Sequence, residues 1–106
     1  MPENDTIERH LADQSEWSAR TFGHGTRTKG VLLHIQKELD EIADNPHDLE
    51  EWIDVILLAM DGYWRHGGEP KDILRRLRSK LLKNMERKWP SPISQDVPVE
   101  HIAEEA

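Results

Sequence analysis

Residues 38–54, ELDEIADNPHDLEEWID, hold carboxylates in two regularly spaced pairs. Glu38 and Glu41 lie three residues apart, and Glu51 and Asp54 repeat this spacing after a short link. On an α-helix, a spacing of three residues places both members of a pair on one face. Two helices that fold back on each other at the link would therefore bring four carboxylates together.

The apolar neighbours of these acids are unusual for a solvated surface. Glu38 follows Ile35 by three residues and precedes Ile42 by four, so it lies along the apolar stripe of its helix. Asp54 interrupts an otherwise apolar run over residues 52–60. A buried carboxylate costs several kcal/mol unless it is paired or bound to a metal, and Mg²⁺ prefers oxygen ligands. The pattern predicts a divalent-metal site, and the simpler alternative is a solvated acidic face.

Composition restricts the class of protein. A length of 106 residues fits a single domain. The net charge of −7 argues against a nucleic acid polymer or a membrane surface as partner. The absence of cysteine excludes disulfides and thiolate zinc sites. No apolar run approaches the roughly 20 residues that span a bilayer. We expect a cytoplasmic protein whose low apolar content, 36%, favours a homo-oligomer.

Helical periodicity and the near absence of strand signals predict an all-α chain. The expected helices cover approximately residues 6–22, 29–44, 46–66 and 70–88. Thr28 and Asn45 are the predicted N-caps of the second and third helices, and Pro70 is the predicted start of the fourth. Short links favour an up-and-down four-helix bundle. We therefore predict one helical domain over residues 1–90 and an extended or flexible tail over residues 91–106.

A second group of polar residues suggests phosphate binding. Lys80, Asn84 and Arg87 fall at i, i+4 and i+7 and share one stripe of the fourth helix. Lysine supplies a mobile point charge and arginine a planar fork, and both suit phosphate oxygens. Arg27 and Lys29, at the start of the second helix, are further candidates. The alternative for these residues is an ordinary solvated cationic surface.

Other kinds of site find less support in the sequence. Trp17 offers a flat surface for a base, although core packing is the commoner role of such a residue. Neither a phosphate loop of the Walker type nor a Ser-His-Asp constellation is indicated. The central helices also lack the Glu-x-x-His pair that is typical of ferritin-like di-iron centres.

The sequence resembles the MazG-like all-α nucleotide pyrophosphohydrolases over about residues 15–90. Their signature is Glu-x-x-Glu, a spacer and Glu-x-x-Asp, which is met here by Glu38, Glu41, Glu51 and Asp54. Four strings are similar to one branch, the phage and bacterial dATP/dGTP diphosphohydrolases of the MazZ type: EWSARTFGHGTRTKG, HIQKELDEI, LEEWIDVILLAMDGYWRHGG and KLLKNMERKWP.

The resemblance implies a reaction, a cofactor and an assembly. Members split a (deoxy)nucleoside triphosphate into the monophosphate and pyrophosphate, use two or more Mg²⁺ or Mn²⁺ ions held by the four acids, and form dimers or tetramers. It implies that Glu38 or Glu41 accepts the proton of the attacking water. It further implies that Lys80, Asn84 and Arg87 hold the departing phosphates.

The leading hypothesis is a metal-dependent diphosphohydrolase of a purine (deoxy)nucleoside triphosphate, dGTP, GTP or dATP, that acts on the nucleotide pool, for a phage in its host cytoplasm. The choice between guanine and adenine, and between ribose and deoxyribose, stays open. One alternative is a hydrolase of pyrimidine nucleotides or phosphoribosyl-ATP on the same scaffold. The other is a non-catalytic helical interaction module. The intact set of four acids weighs against the module, because losing buried carboxylates would increase stability.

Overall fold

The computed structural model describes residues 5–91 and 93–103. These residues form α1 (Ile7–Phe22), α2 (Thr28–Asp44), α3 (Leu49–Arg65), a 3₁₀ turn (Pro70–Asp72) and α4 (Ile73–Glu86). The predicted all-α fold class is confirmed. None of the described helices is long and apolar enough to cross a membrane. The parts of the predicted domain and tail that fall on residues 1–4, 92 and 104–106 lie outside the described residues.

The first two helices begin close to their predicted starts, with different caps. Thr6 caps α1, because its side-chain oxygen accepts a hydrogen bond from the Arg9 N–H at 3.1 Å. The predicted cap at Thr28 is wrong, since Thr28 is the first residue of α2 itself. Arg27 occupies the cap position with φ 43° and ψ 32°, a left-handed conformation without a capping side chain. Such a conformation costs a non-glycine residue about 1–2 kcal/mol, so other contacts must hold it.

The third helix begins later than its sequence suggests. Asn45 does not cap it, because the Asn45 N–H still donates to carbonyls in the last turn of α2. Asp48 is the cap instead, and its carboxylate accepts from the Glu50 N–H at 3.1 Å. Pro70 begins the 3₁₀ turn rather than α4, which follows directly.

The helices α2 and α3 pack against each other in antiparallel directions. Glu41 lies beside Glu51 next to the link. At the other end of the pair Val31 lies beside Gly62, where an added Cβ would be 3.7 Å from Val31 Cγ1. This arrangement agrees with the short link and brings the acidic residues of both helices to one place.

The chain divides into two compact units, of which the first ends at Ile73. Its core lies where α1, α3 and the 3₁₀ turn meet. The core cluster consists of the buried Leu11, Met60 and Ile73 with the partly buried Ile7, Tyr63 and Trp64. This core is small, and it leaves much of the apolar surface of α2 and α3 exposed.

The second unit begins at Leu74 and contains most of α4 and the segment after it. Described residues 93–103 form no helix. The Ile102 N–H donates to the Lys88 carbonyl at 2.7 Å, so the segment returns to the end of α4. The boundary at residue 90 and the extended or flexible character of the tail stay predictions.

Candidate metal centre and adjoining cavity

Three of the four predicted acids meet between α2 and α3. Each of Glu38, Glu41 and Glu51 offers one carboxylate oxygen, and these oxygens lie within 4.8 Å of one another. Glu38 is buried, with 6% of its surface exposed, and the other two are partly buried. We call these three residues the acid cluster. Its geometry follows from the spacing of three on α2 and from the antiparallel packing of the two helices.

The acid cluster lacks the partners that buried carboxylates need. Glu38 Oε1 lies 3.2 Å from His34 Nε2, but Glu38 Oε2 and Glu51 Oε2 are buried without a hydrogen-bond partner. Burial, together with the hydrogen bond and charge of Glu41, raises the pKa of Glu51 to about 7. A divalent cation would supply a partner to both oxygens and remove the repulsion between the carboxylates, so this donor set fits Mg²⁺ or Mn²⁺.

Asp54, the fourth predicted acid, is not one of the three clustered residues. The expectation that it is buried is wrong for the single chain, in which Asp54 is exposed. Its neighbours Trp52 and Ile53 are also exposed, by 49% and 44%, so the apolar run around it does not enclose it. Asp54 nevertheless lines the same cavity as Glu38. Its role as a ligand stays a prediction.

A cavity of about 280 Å³ extends from Glu38 along α2 to Arg27. Helices α1, α2 and α3 all contribute to its walls. Glu38 follows Arg27, the cap residue of α2, by eleven positions, so their backbones lie about 16 Å apart along the helix axis. Glu38 and Asp54 lie at one end, and at the other the Arg27 guanidinium lies beside aromatic rings. Asp61 also lines the cavity, but its carboxylate is paired with Arg65. The cavity therefore has a clear chemical polarity.

The aromatic end of the cavity is built from Trp17 and Phe22. Their rings meet edge to face, with centroids 5.4 Å apart and an interplanar angle of 89°. The guanidinium carbon of Arg27 lies 5.3 Å from the centre of the Phe22 ring. Trp17 is 51% exposed, so its ring is accessible to a ligand. Its predicted role in base binding stays a prediction.

Of the predicted phosphate-binding residues, Arg27 is the one that lines this cavity. Lys29 is exposed in the first turn of α2. Lys80, Asn84 and Arg87 belong to the second unit, in which Arg87 Nη1 donates to Asn84 Oδ1 at 3.0 Å. The roles of all these residues toward phosphate stay predictions.

A second buried polar group, not predicted from the sequence, consists of Ser18, Asp61 and Arg65, and we call it the ion-pair network. Ser18 Oγ donates to Asp61 Oδ1 at 2.6 Å, and Arg65 Nε donates to Asp61 Oδ2 at 2.9 Å. Burial alone would raise the pKa of Asp61, but hydrogen bonds from Ser18, Arg65 and Trp64 and the Arg65 charge outweigh it and lower the pKa. The signal in the sequence that could have revealed this pair is the spacing of Asp61 and Arg65, four residues apart on one helix.

The chain is similar to a known protein family and to a phage protein. The profile of the dATP/dGTP pyrophosphohydrolase family matches residues 9–106. Over 105 residues the chain is 37% identical to the Eaa protein of Salmonella phage P22, a match that takes in 99% of this chain and 32% of that protein. The chain thus spans about a third of the length of that relative.

A solved structure shares the fold. It is the MazG-like pyrophosphohydrolase of cyanophage S-2L, bound to dGDP and three catalytic Mn²⁺ ions per active site. The TM-score is 0.74 with 24% identity, and the match covers 96% of this chain and 98% of that one. The described helices therefore follow the MazG-like all-α arrangement that the sequence predicts.

Proposed function

The chain belongs to the dATP/dGTP pyrophosphohydrolase family, and we propose that it hydrolyses a purine deoxynucleoside triphosphate, dGTP or dATP, to the monophosphate and pyrophosphate. The observation that carries this proposal is the polarity of the cavity, with the carboxylates of Glu38 and Asp54 at one end and aromatic rings at the other. A nucleotide has the same polarity, because it joins a flat base to phosphates that bind cations. The dGDP bound to the cyanophage protein supports a purine substrate.

We infer that the acid cluster holds two or more Mg²⁺ or Mn²⁺ ions, with Asp54 as a further ligand. The buried, unpartnered oxygens of Glu38 and Glu51 support this assignment, as do the three Mn²⁺ ions of the cyanophage protein. When bound, such ions neutralise phosphate charge and make a water molecule a better nucleophile.

The proposed reaction needs a base and groups that orient the substrate. The water oxygen forms a bond to the α-phosphorus, the bond from that phosphorus to the bridging oxygen breaks, and pyrophosphate leaves with the electron pair. Glu38 or Glu41 accepts the proton of the water. Lys80, Asn84 and Arg87 are proposed to bind phosphate oxygens. Lys29 lies in the first turn of α2, far from Glu38, so its position does not favour the predicted phosphate contact.

Trp17 and Arg27 are proposed to contact the other end of the nucleotide. Trp17 presents an exposed ring to the cavity and is proposed to bind the base. The sequence suggested a phosphate contact for Arg27, but its guanidinium lies over the Phe22 ring at the end far from Glu38. A contact with the base or the sugar suits this position better, because a guanidinium also stacks on aromatic rings.

We further propose that the protein is a homodimer or homotetramer that acts on the purine nucleotide pool in the cytoplasm of a phage host. The relative in phage P22 supports the phage setting.

Exposed apolar side chains support the oligomer, since they recur along two helices: Leu32 and Leu39 on α2, and Leu49, Trp52 and Ile56 on α3. Light scattering should give two or four times the chain mass of 12.4 kDa, and a monomer mass would contradict the oligomer.

A substrate panel tests the function. The protein is incubated with each ribo- and deoxyribonucleoside triphosphate and with phosphoribosyl-ATP, in Mg²⁺ or Mn²⁺, and the products are separated. We expect monophosphate and pyrophosphate, formed fastest from dGTP or dATP. Release of orthophosphate and a diphosphate would contradict the proposed bond. Faster turnover of pyrimidine nucleotides or phosphoribosyl-ATP would favour the same-fold alternative, and no turnover at all would favour the interaction module.

A further inference from the structure

The loop that joins α1 to α2, residues 23–27, is not held by packing at its glycines. Gly23, Gly25 and Arg27 all have positive φ angles, of 88°, 99° and 43°. An added Cβ at Gly23 or Gly25 would meet no atom of the described residues within 4 Å, chain neighbours apart. A glycine-rich backbone in open space has many conformations of similar energy. The shape of this loop therefore depends on hydrogen bonds from elsewhere.

Arg65 supplies these hydrogen bonds from α3. Its side chain is fully buried, and Nη1 donates to the carbonyl oxygens of Gly23 and Gly25, each at 2.9 Å. Nε donates to Asp61 Oδ2 at 2.9 Å, and Nη2 donates to Ser18 Oγ at 2.9 Å and to the Ser18 carbonyl at 3.4 Å. All five guanidinium N–H donors are thus used. Because Asp61 and Ser18 fix Arg65 on its other side, the loop carbonyls are fixed as well.

The two ends of this loop carry side chains of the aromatic end of the cavity. Phe22 precedes Gly23, and Arg27 closes the loop at the cap position before α2. Both line the cavity, and the Arg27 guanidinium lies over the Phe22 ring. The path of the backbone between them sets the position of one group relative to the other.

We propose that Arg65 is a positioning residue for the nucleotide, because its hold on the Gly23 and Gly25 carbonyls keeps Phe22 and Arg27 where they contact the base end of the substrate. The inference rests on the proposed function. Arg65 does not belong to the acid cluster, and its five donors all go to other groups. A defect in the loop should therefore raise KM and leave kcat almost unchanged, as expected when uniform binding is lost.

The test compares two glycines of the same backbone class. Gly25→Ala strains the loop that Arg65 holds. Gly67→Ala introduces the same kind of strain just after α3, at φ 103°, where an added Cβ would again meet no atom of the described residues within 4 Å. We expect Gly25→Ala to raise KM for dGTP about tenfold and to change kcat by less than about twofold. Gly67→Ala should change both constants by less than about twofold. Arg65→Lys, which keeps the charge but not the fork, should raise KM in the same way.

The outcomes separate this inference from the proposed function. If the wild type turns over dGTP and the two glycine variants have equal KM values, the positioning role is wrong and the function stands. If no nucleotide is turned over, the proposed function fails, and calorimetric titration with dGTP and Ca²⁺ decides the positioning role. Binding about tenfold weaker in Gly25→Ala than in Gly67→Ala would support it. Equal binding by both variants, or none by the wild type, would overturn it.

Discussion

Glu38 of the acid cluster and Asp61 of the ion-pair network are almost equally buried but very differently partnered. Glu38 and Asp61 expose 6% and 7% of their surfaces. Asp61 accepts hydrogen bonds from Ser18, Trp64 and Arg65, and its pKa is lowered despite a burial that acts in the opposite sense. Glu38 has one oxygen without a partner, and the pKa of its neighbour Glu51 is raised, first of all by burial.

The difference shows that burial alone does not distinguish a structural carboxylate from a functional one. Buried polar groups in native proteins are nearly always hydrogen-bonded, so an unpartnered oxygen needs an explanation. The ion-pair network is satisfied by the chain itself, and its members hold α1, α3 and the loop between α1 and α2 together. The acid cluster is not satisfied by the chain, and a cation is the partner that suits it. The same change, carboxylate to amide, should therefore have opposite consequences in the two places.

The largest expected effect is the loss of activity in Glu38→Gln. The amide keeps the shape of the side chain but removes the charge that is proposed to hold the metal and to accept the proton of the water. We expect kcat/KM for dGTP to fall by about 10³-fold, or about 4 kcal/mol of transition-state stabilisation. In a chelator the variant should melt at the wild-type temperature or above it, because it removes a repulsive buried charge. Steady-state kinetics and thermal melting measure the two quantities.

Asp40→Asn is the matched control for Glu38→Gln. Asp40 is an exposed carboxylate on the same helix, and it lies outside the acid cluster. Its amide variant should keep kcat/KM within about twofold of the wild type. Retention of most of the activity in Glu38→Gln would remove Glu38 from the site.

The second expected effect is the loss of stability in Asp61→Asn. The amide would leave the buried Arg65 charge without its partner and would place an N–H₂ group against guanidinium donors. We expect the free energy of unfolding to fall by about 3 kcal/mol. Urea denaturation at fixed protein concentration, with a chelator present, measures this quantity. The kcat of the folded variant should change little, because the acid cluster is untouched.

Asp13→Asn is the control for Asp61→Asn. Asp13 pairs with Arg9 four residues away at 3.5 Å, but both side chains are exposed, by 68% and 56%. Loss of this surface pair should change the free energy of unfolding by no more than about 0.5 kcal/mol. Equal destabilisation by both substitutions would contradict the structural role of the ion-pair network.

The fold and the acid cluster could be predicted because their signals are local. Apolar periodicity marks the helices, and the spacing of Glu38 and Glu41 fixes their common face of α2. The short link then makes α2 and α3 antiparallel. The start of α3 was missed because Asn45 and Asp48 are both good caps, and the sequence does not tell which N–H groups the preceding helix still uses.

The rest of the site could not be predicted because it depends on contacts between distant residues. Arg65 lies 40 residues or more from Ser18, Gly23 and Gly25, and its pattern of donors follows only from the packing of α3 against the end of α1. The exposure of Asp54 could not be predicted for the same reason. An apolar run suggests burial, but whether a run is buried depends on what covers it, and Trp52 and Ile53 remain exposed in the single chain.

The smallest expected effect is a pH dependence that has opposite signs in the two groups. In the metal-free protein the pKa of Glu51 is raised from 4.5 to about 7, so its proton is bound more tightly in the folded state. That contribution to stability is full below pH 4.5 and is lost as the pH rises through 7. Asp61, with its pKa lowered from 3.8, contributes stability above that pH and loses it on acidification.

Between pH 5 and about 7.5 the melting temperature should therefore fall in chelator, and Glu51→Gln should remove the fall. Mn²⁺ should reverse the slope in the wild type, because metal binding requires deprotonated carboxylates. A Glu51→Gln variant with the wild-type slope would show that another group holds the proton, and the contrast between a satisfied and an unsatisfied carboxylate would then need a different site.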